Sequence, residues 1–431
     1  MSRKVFLSFL GTNAYDTVKY TYQNHVFTTP YAPVASLQAM QTQDWIPDIC
    51  YFFLTEEAEK AHWNAYAYTP RGAQTVHEPS YTAPQTEERI GLSATLESLT
   101  GSEPIAKRIS NGETETEVWA IFRTMMDCLE EHDEVVLEVT LGFRIAPMLM
   151  FAFADYAHFV KNISVKAILY GSYQPWKDRE NGQIWNMTSF VELQQWTRAA
   201  DFFINTGNAT ELSKVLSQTN KYRAIGEKVE QVSKQFQTVR GRGILAATDM
   251  HLLSEMIAKY ENTFEKKPVK DLLQIINNKI QGFQHNPTKN LDKIIDNTLQ
   301  SVVWCIEHDL TQQGFTFLQE GIQTIVLCIL QKDMNDYKWR TAASAAFTCW
   351  QLPYSDWLGK DEHKQKLNIL LAHSVIFEAF NAKENSFLYK AISDARNSMN
   401  HGGFTDGLSP KELQDKLKKY YKQTQSILKN R

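Results

Sequence analysis

The segment from Glu134 to Tyr170 leaves this chain few folds to choose from. Glu134-Val-Val-Leu-Glu-Val-Thr140 is a β-branched run of strand length, and Leu141-Gly142-Phe143-Arg144 reads as a turn. Ile145 to Val160, with Pro147 in its first turn, reads as a helix. Val165-Lys-Ala-Ile-Leu-Tyr170 is the next strand and ends in Gly171-Ser172. Strand, helix and strand within 37 residues make a βαβ unit, and strands joined by such a crossover lie parallel. A parallel sheet needs helices on both faces, so this part of the chain is predicted to be α/β. Thr140, Gly142 and Arg144 then stand where a phosphate meets a helix N-terminus. The turn is neither a Walker loop nor a GxGxxG fingerprint, which speaks against ATP hydrolysis and nicotinamide chemistry.

The N-terminus adds a second turn of the same kind. Val5-Phe-Leu-Ser-Phe-Leu10 is a short apolar strand that runs into Gly11-Thr12-Asn13. Open α/β sheets present backbone amides to ligands at such strand ends, and here a Thr and an Asn add side-chain donors. Asp48 to Leu54 reads as another buried strand, Glu56 to Tyr66 as a helix, and Thr114 to His132 as an amphipathic helix. Residues 69–86, rich in Pro, Thr and Gly, read as loop.

From about Ser189 the strand signals stop. Phe190 to Phe203, Asn208 to Gln218 and Glu227 to Gln237 have helical spacing, and Val239-Arg-Gly-Arg-Gly243 breaks it as a hinge or basic loop. Helices are predicted over about 289–309, 311–332, 337–350, 363–380, 387–401 and 410–429. Ser409-Pro410-Lys411-Glu412 is a capping box for the last of these, and Lys416, Lys418, Lys419 and Lys422 line it as a solvated face.

The fifth of these predicted helices carries the chemistry. Ser393 to Gly403 holds Arg396, Asn397 and His401, then paired glycines that stop the helix. Asn397 and His401, four apart, share a face. Arg396 lies about 140° round from His401, so the last turn must bend or a second copy must complete a site. An imidazole that moves protons and a guanidinium that meets phosphate charge together suit metal-free RNA cleavage. The spacing alone also fits a basic helix end on the dipole, and Arg71 to His77, one residue wider, forms a similar pair between prolines.

Composition narrows the classes. A net charge of −4 argues against general coating of nucleic acid, and 12% aromatic content marks a globular chain. The five cysteines show no CxxC, which points to reduced core thiols in a cytoplasmic protein. The N-terminal apolar run is too short for a signal peptide and no membrane span is expected. No cofactor is called for, and no clustered Asp, Glu and His at ligand spacing suggests a metal.

The two ends together resemble one family: the CRISPR-associated ribonucleases of type III systems (Csx/Csm type) that join a CARF sensor domain to a HEPN domain. Phe6 to Asn13 looks like the opening of that family's sensor. Val139-Thr140-Leu-Gly142-Phe143-Arg144 is similar to its Asp-x-Thr-x-Gly-Phe-Arg signature, with Glu138 where aspartate is usual. Phe190 to Gly207 resembles its connector, and Arg396-Asn397-x3-His401 matches the HEPN motif. The resemblance implies a Rossmann-like CARF domain at 1–188, a helical connector at 189–286 and an all-α HEPN bundle at 287–431.

It also implies a function: a metal-independent endoribonuclease that cuts single-stranded RNA, leaves a 2′,3′-cyclic phosphate and is switched on by a cyclic oligoadenylate, with tetra-adenylate expected. The activator would meet Gly11, Thr12, Asn13, Thr140, Gly142, Arg144 and Gly171, with Phe143 packing beneath the loop. Arg396 and His401 of two copies would face each other across a homodimer dyad, or in a higher homo-oligomer, with Asn397 orienting the histidine. No stable association with the CRISPR effector complex is expected. Two other functions fit the same resemblance: a CARF-containing regulator with an inert HEPN bundle, and an enzyme that degrades its own activator.

Overall fold

The computed structural model describes residues 2–69, 86–142, 145–174, 178, 180–261, 267–286, 289–349, 353, 361–381, 387–404 and 407–429. Two compact units divide the chain, residues 1–192 and residues 193–431.

In the first unit, β1 (Lys4–Leu10) is followed by a hairpin, β2 (Val18–Tyr22) and β3 (His25–Thr29), and then by α1 (Ala32–Gln41) and β4 (Ile49–Leu54). A short turn of helix, α2 (Glu56–Ala58), precedes β5 (Tyr66–Tyr68), β6 (Glu87–Arg89), α3 (Leu92–Thr100) and β7 (Ile105–Arg108). The unit closes with α4 (Glu115–Asp127), β8 (Glu134–Glu138), α5 (Ala146–Lys161), β9 (Ser164–Tyr173) and β10 (Asn181–Asn186). The main sheet has eight strands in the order β3-β2-β10-β9-β8-β1-β4-β7. Its five consecutive strands β9, β8, β1, β4 and β7 are mutually parallel, as the crossover between β8 and β9 requires.

Alternation along the strands feeds two cores. Val5, Leu7, Phe9, Val135 and Leu137 meet Ile121 and Met125 of α4 and Phe153 of α5 on one face. Phe6, Leu10, Phe52 and Val136 meet Leu37 of α1 and Leu92 of α3 on the other. Strands buried on both faces read as unbroken apolar runs, which is how β1 and β4 read.

The order of the strands decides where a ligand fits. Within the five parallel strands, β1 is succeeded by β4 on one side and β8 by β9 on the other. The carboxyl ends of β1 and β8 therefore flank a topological switch point, where open α/β sheets form their crevice.

Among the described residues, strands end at Asn186 and helices follow. They are α6 (Thr188–Thr206), α7 (Thr210–Ser217), α8 (Arg223–Gln237), α9 (Gly241–Ala246), α10 (Thr248–Glu261) and α11 (Lys267–Ile280). After these come α12 (Leu291–Glu307), α13 (Thr311–Ile329), α14 (Tyr337–Cys349), α15 (Asp361–Leu371), α16 (Ser374–Asn381), α17 (Leu388–Asn400) and α18 (Pro410–Lys429). In the second unit a single core runs through them, with Trp304 stacked on Phe236 at 4.5 Å near its middle. The capping box at Ser409 forms: the Glu412 carboxylate accepts the Ser409 amide at 2.8 Å, and Ser409 Oγ accepts the Glu412 amide at 3.3 Å. No helix among the described residues is long and apolar enough to cross a membrane.

Two predicted helices come out differently. Glu56 to Tyr66 yields only α2 and a π-turn at Glu59–Trp63, because Tyr66 already belongs to a strand. The helix predicted over 363–380 breaks into α15 and α16 at a turn through Ala372 and His373.

Candidate functional site

The predicted residues that the structure describes lie in two places, one in each unit. In the first unit the loops after β1 and β8 touch at the switch point: a Cβ on Gly11 would lie 3.3 Å from the amide nitrogen of Gly142. Gly142 has φ 104°, and a Cβ there would come within 2.8 Å of Phe9 Cβ, so the loop needs glycine on both counts. Thr12 and Asn13 are exposed at this crevice. Phe143 and Arg144 lie outside the described residues, as does the Arg71–His77 pair.

Thr140 and Gly171 take a different part from Thr12 and Asn13. The Thr140 hydroxyl donates to Glu138 Oε1 and accepts from the buried amide of Gly171 at 2.6 Å. The Thr140 amide also donates to Glu138 Oε1, at 3.2 Å, and Ser8 Oγ donates to Glu138 Oε2 at 2.7 Å. One carboxyl thus ties the ends of β1, β8 and β9 beneath the crevice. Glu138 is fully buried, and desolvation pushes its pKa up to about 7 against the hydrogen bonds of Thr140 and Ser8. Glu138 stands where the signature that the sequence resembles has aspartate.

Residues that the sequence reading missed support the loop from below. The Gly11 amide donates to Tyr15 Oη at 3.1 Å, and the buried His62 ring lies 4.7 Å from that of Tyr15. Burial holds His62 below its ordinary pKa, opposed by the backbone of Thr12 and Asn13. Arg89 donates to the Tyr15 carbonyl at 2.6 Å and sits 3.5 Å over the Tyr68 ring. His62 and Arg89 are separated from Gly11 by about 50 and 80 residues of chain, and no local pattern links them.

In the second unit the motif occupies the end of α17. His401 is the C-cap, at φ −93°, with its amide on the Asn397 carbonyl at 3.0 Å. Gly402 and Gly403 follow at φ 70° and 72°, and the Gly403 amide reaches back to the Ser398 carbonyl at 2.9 Å. Asn397 and His401 are exposed and share a groove of about 530 Å³ with Asp394, Lys416 and Tyr420. Half-buried Arg396 opens instead on a separate cavity of about 690 Å³.

The Arg396 guanidinium is aimed by α13. Its Nη1 donates to Gln319 Oε1 at 3.3 Å, while Gln319 Nε2 donates to Ser393 Oγ at 3.2 Å. Tyr389 Oη closes the network, accepting from Gln323 Nε2 at 2.7 Å. Gln319 and Gln323 are each 4% exposed, so this is a buried polar seam between two helices, and polar seams of this kind fix side-chain direction. Among the described residues no group of three or more His, Cys, Asp or Glu converges to hold a metal ion.

Sequence comparison places the middle of the chain. Residues 192–297 match the family model of the second domain of CRISPR-associated protein MJ1674. That stretch is similar to a domain of a CRISPR-associated protein. MJ1674 of Methanocaldococcus jannaschii is itself 28% identical over 131 residues, which are 30% of this chain and 20% of that protein. Among solved structures, Enterococcus italicus Csm6 bound to cyclic hexa-2′-fluoro-hexa-dAMP shares 12% identity, with 99% of this chain and 94% of that chain covered at a TM-score of 0.46.

Proposed function

We propose that the chain is an endoribonuclease of type III CRISPR defence, switched on when a cyclic oligoadenylate occupies the switch-point crevice of residues 1–188. The observation that carries this reading is the Arg396-Asn397-x3-His401 motif at the capped end of α17, in an all-helical unit whose first part matches a CRISPR-associated domain. Residues 189–286 act as connector and 287–431 as the HEPN bundle.

The chemistry follows from the side chains. The 2′-oxygen of a ribose attacks the adjacent phosphorus and the 5′-oxygen leaves, giving a 2′,3′-cyclic phosphate and a 5′-hydroxyl. His401 takes the proton of the 2′-hydroxyl or returns one to the 5′-oxygen. Arg396 neutralises charge on the non-bridging oxygens as it builds, and Asn397 orients the imidazole. Because Arg396 and His401 open on different depressions, the working site is assembled from two copies, each giving its helix end to the dyad. Cyclic tetra-adenylate biases the population toward the arrangement with the helix ends in register.

The test is cleavage of labelled single-stranded RNA in EDTA, with cyclic tri-, tetra- and hexa-adenylate in turn. Arg396→Ala and His401→Ala are each expected to lower the rate at least a hundredfold. RNA cleavage that survives both substitutions together overturns the assignment and leaves the bundle a binding module.

A further inference from the structure

The 690 Å³ cavity that Arg396 enters is larger than the His401 groove, and the proposed chemistry uses only its edge. Four cations line it, Arg242, Lys289, Arg340 and Arg396, against a single lining carboxylate, Glu320. Arg340 is committed to that carboxylate at 2.5 Å and to Thr324 Oγ1 at 3.0 Å. Arg242 and Lys289 are exposed at the rim, leaving the net charge of the cavity positive.

Two polar atoms of lining residues are buried without a hydrogen-bond partner among the described residues: Thr298 Oγ1, on a side chain 1% exposed, and Arg396 Nε. Buried polar groups nearly always find partners, so a pair of orphans on one cavity marks a place for polar atoms of a guest. Leu245, Ile294 and Phe317 give the lining an apolar part. Cations at the rim, orphaned polar atoms within and an apolar part of the lining, in a volume of small-ligand size, match one nucleotide better than a bare anion.

We propose that this cavity seats a single nucleotide of the RNA strand, the one next to the linkage that Arg396 attends. Its phosphate lies between Arg242 and Lys289, its ribose oxygens meet Thr298 and Arg396, and its base packs on Leu245 and Phe317. The inference rests on the ribonuclease reading for the identity of the strand, but the nucleotide site is testable without catalysis.

The experiment titrates the full chain with uridine monophosphate, a probe unlike the adenylate expected in the first unit, and separately with inorganic phosphate. Heat of binding is the readout. Saturable binding of one nucleotide per chain is expected, at least tenfold tighter than phosphate and weakened at least tenfold by Arg242→Ala with Lys289→Ala, both on exposed side chains. In cleavage assays the same double variant raises KM with kcat unchanged. Absent nucleotide binding, equal affinity for phosphate, or binding that the double variant leaves unmoved overturns the site. Nucleotide binding in a chain that cuts no RNA keeps the site and removes the ribonuclease reading.

Discussion

Glu138→Gln isolates the carboxyl that ties the sheet together under the crevice. Glu138 is fully buried, with its pKa pushed from 4.5 to about 7 by desolvation. A folded-state pKa above the unfolded value means that the folded chain holds the extra proton between pH 4.5 and 7, so stability falls as pH rises through that window. From pH 5 to pH 8 the loss amounts to roughly 2–3 kcal/mol from this one group. The protonated acid has somewhere to donate: Oε2–H to Ser8 Oγ, with Ser8 turning to the Phe9 carbonyl at 3.3 Å. A glutamine supplies the same donor through Nε2 and keeps Oε1 for Thr140, without any charge to bury. Hydrogen exchange of peptides over residues 4–10 and 134–140, corrected for intrinsic rates, reads the effect where it arises. Protection in the wild type should drop roughly fifty- to a hundredfold more than in the variant between pH 5 and pH 8. Equal pH dependence in the two proteins would refute both the buried carboxylic acid and the sign of its contribution.

Three further outcomes follow from the packing. Gly142→Ala, at φ 104° and 2.8 Å from Phe9 Cβ, should cost about 1–3 kcal/mol and lower the calorimetric midpoint by several degrees; an unchanged midpoint would mean that the loop is not fixed as described. Gly171→Ala places its Cβ 2.7 Å from Ala32 Cβ, and adding Ala32→Gly should recover most of the lost stability, an interaction that thermal unfolding of the single and double variants measures directly. Gln319→Leu removes the acceptor that aims Arg396 and should lower kcat for RNA cleavage about tenfold with KM little changed, whereas Gln319→Glu keeps the acceptor and most of the rate; equal effects of the two would point to a packing role alone.

What could be read from the chain and what could not divide along one physical line. The parallel strands and the crossover helix announced themselves because burial on both faces writes an unbroken apolar run, and the motif on α17 because it is local. The hairpin β2–β3 went unread although Val18, Tyr20 and Tyr22 alternate with polar residues and Gln23, at φ 52°, opens a two-residue turn. β7 and β10 carry one or two apolar residues each and owe their conformation to the strand beside them. The same holds at the crevice. Gly11 and Gly142 were legible as turn residues, but Thr140 looked like a ligand donor and proves to have its hydroxyl engaged with Glu138 and Gly171. His62 and Arg89 reach the loop only through the fold.

The division of α17 between two depressions sets the condition that the proposed chemistry must meet. Five residues of helix turn Arg396 about 140° away from His401, and the helix continues regular to Asn400, so no bend brings the two side chains together within one chain. Gln319 holds the guanidinium toward the larger cavity, while His401 stands exposed as the C-cap, followed by two left-handed glycines. A phosphodiester bound by the Arg396 of one copy therefore meets an imidazole only if another His401 is brought to it. The catalytic rate should accordingly rise with the square of chain concentration below the dimer dissociation constant. Mixing Arg396→Ala with His401→Ala chains should restore a mixed site in heterodimers if the arginine of one copy works with the histidine of the other. Activity linear in concentration down to the monomer, or two inert variants that stay inert when mixed and shown to pair, would leave the two depressions as separate sites and remove the composite one.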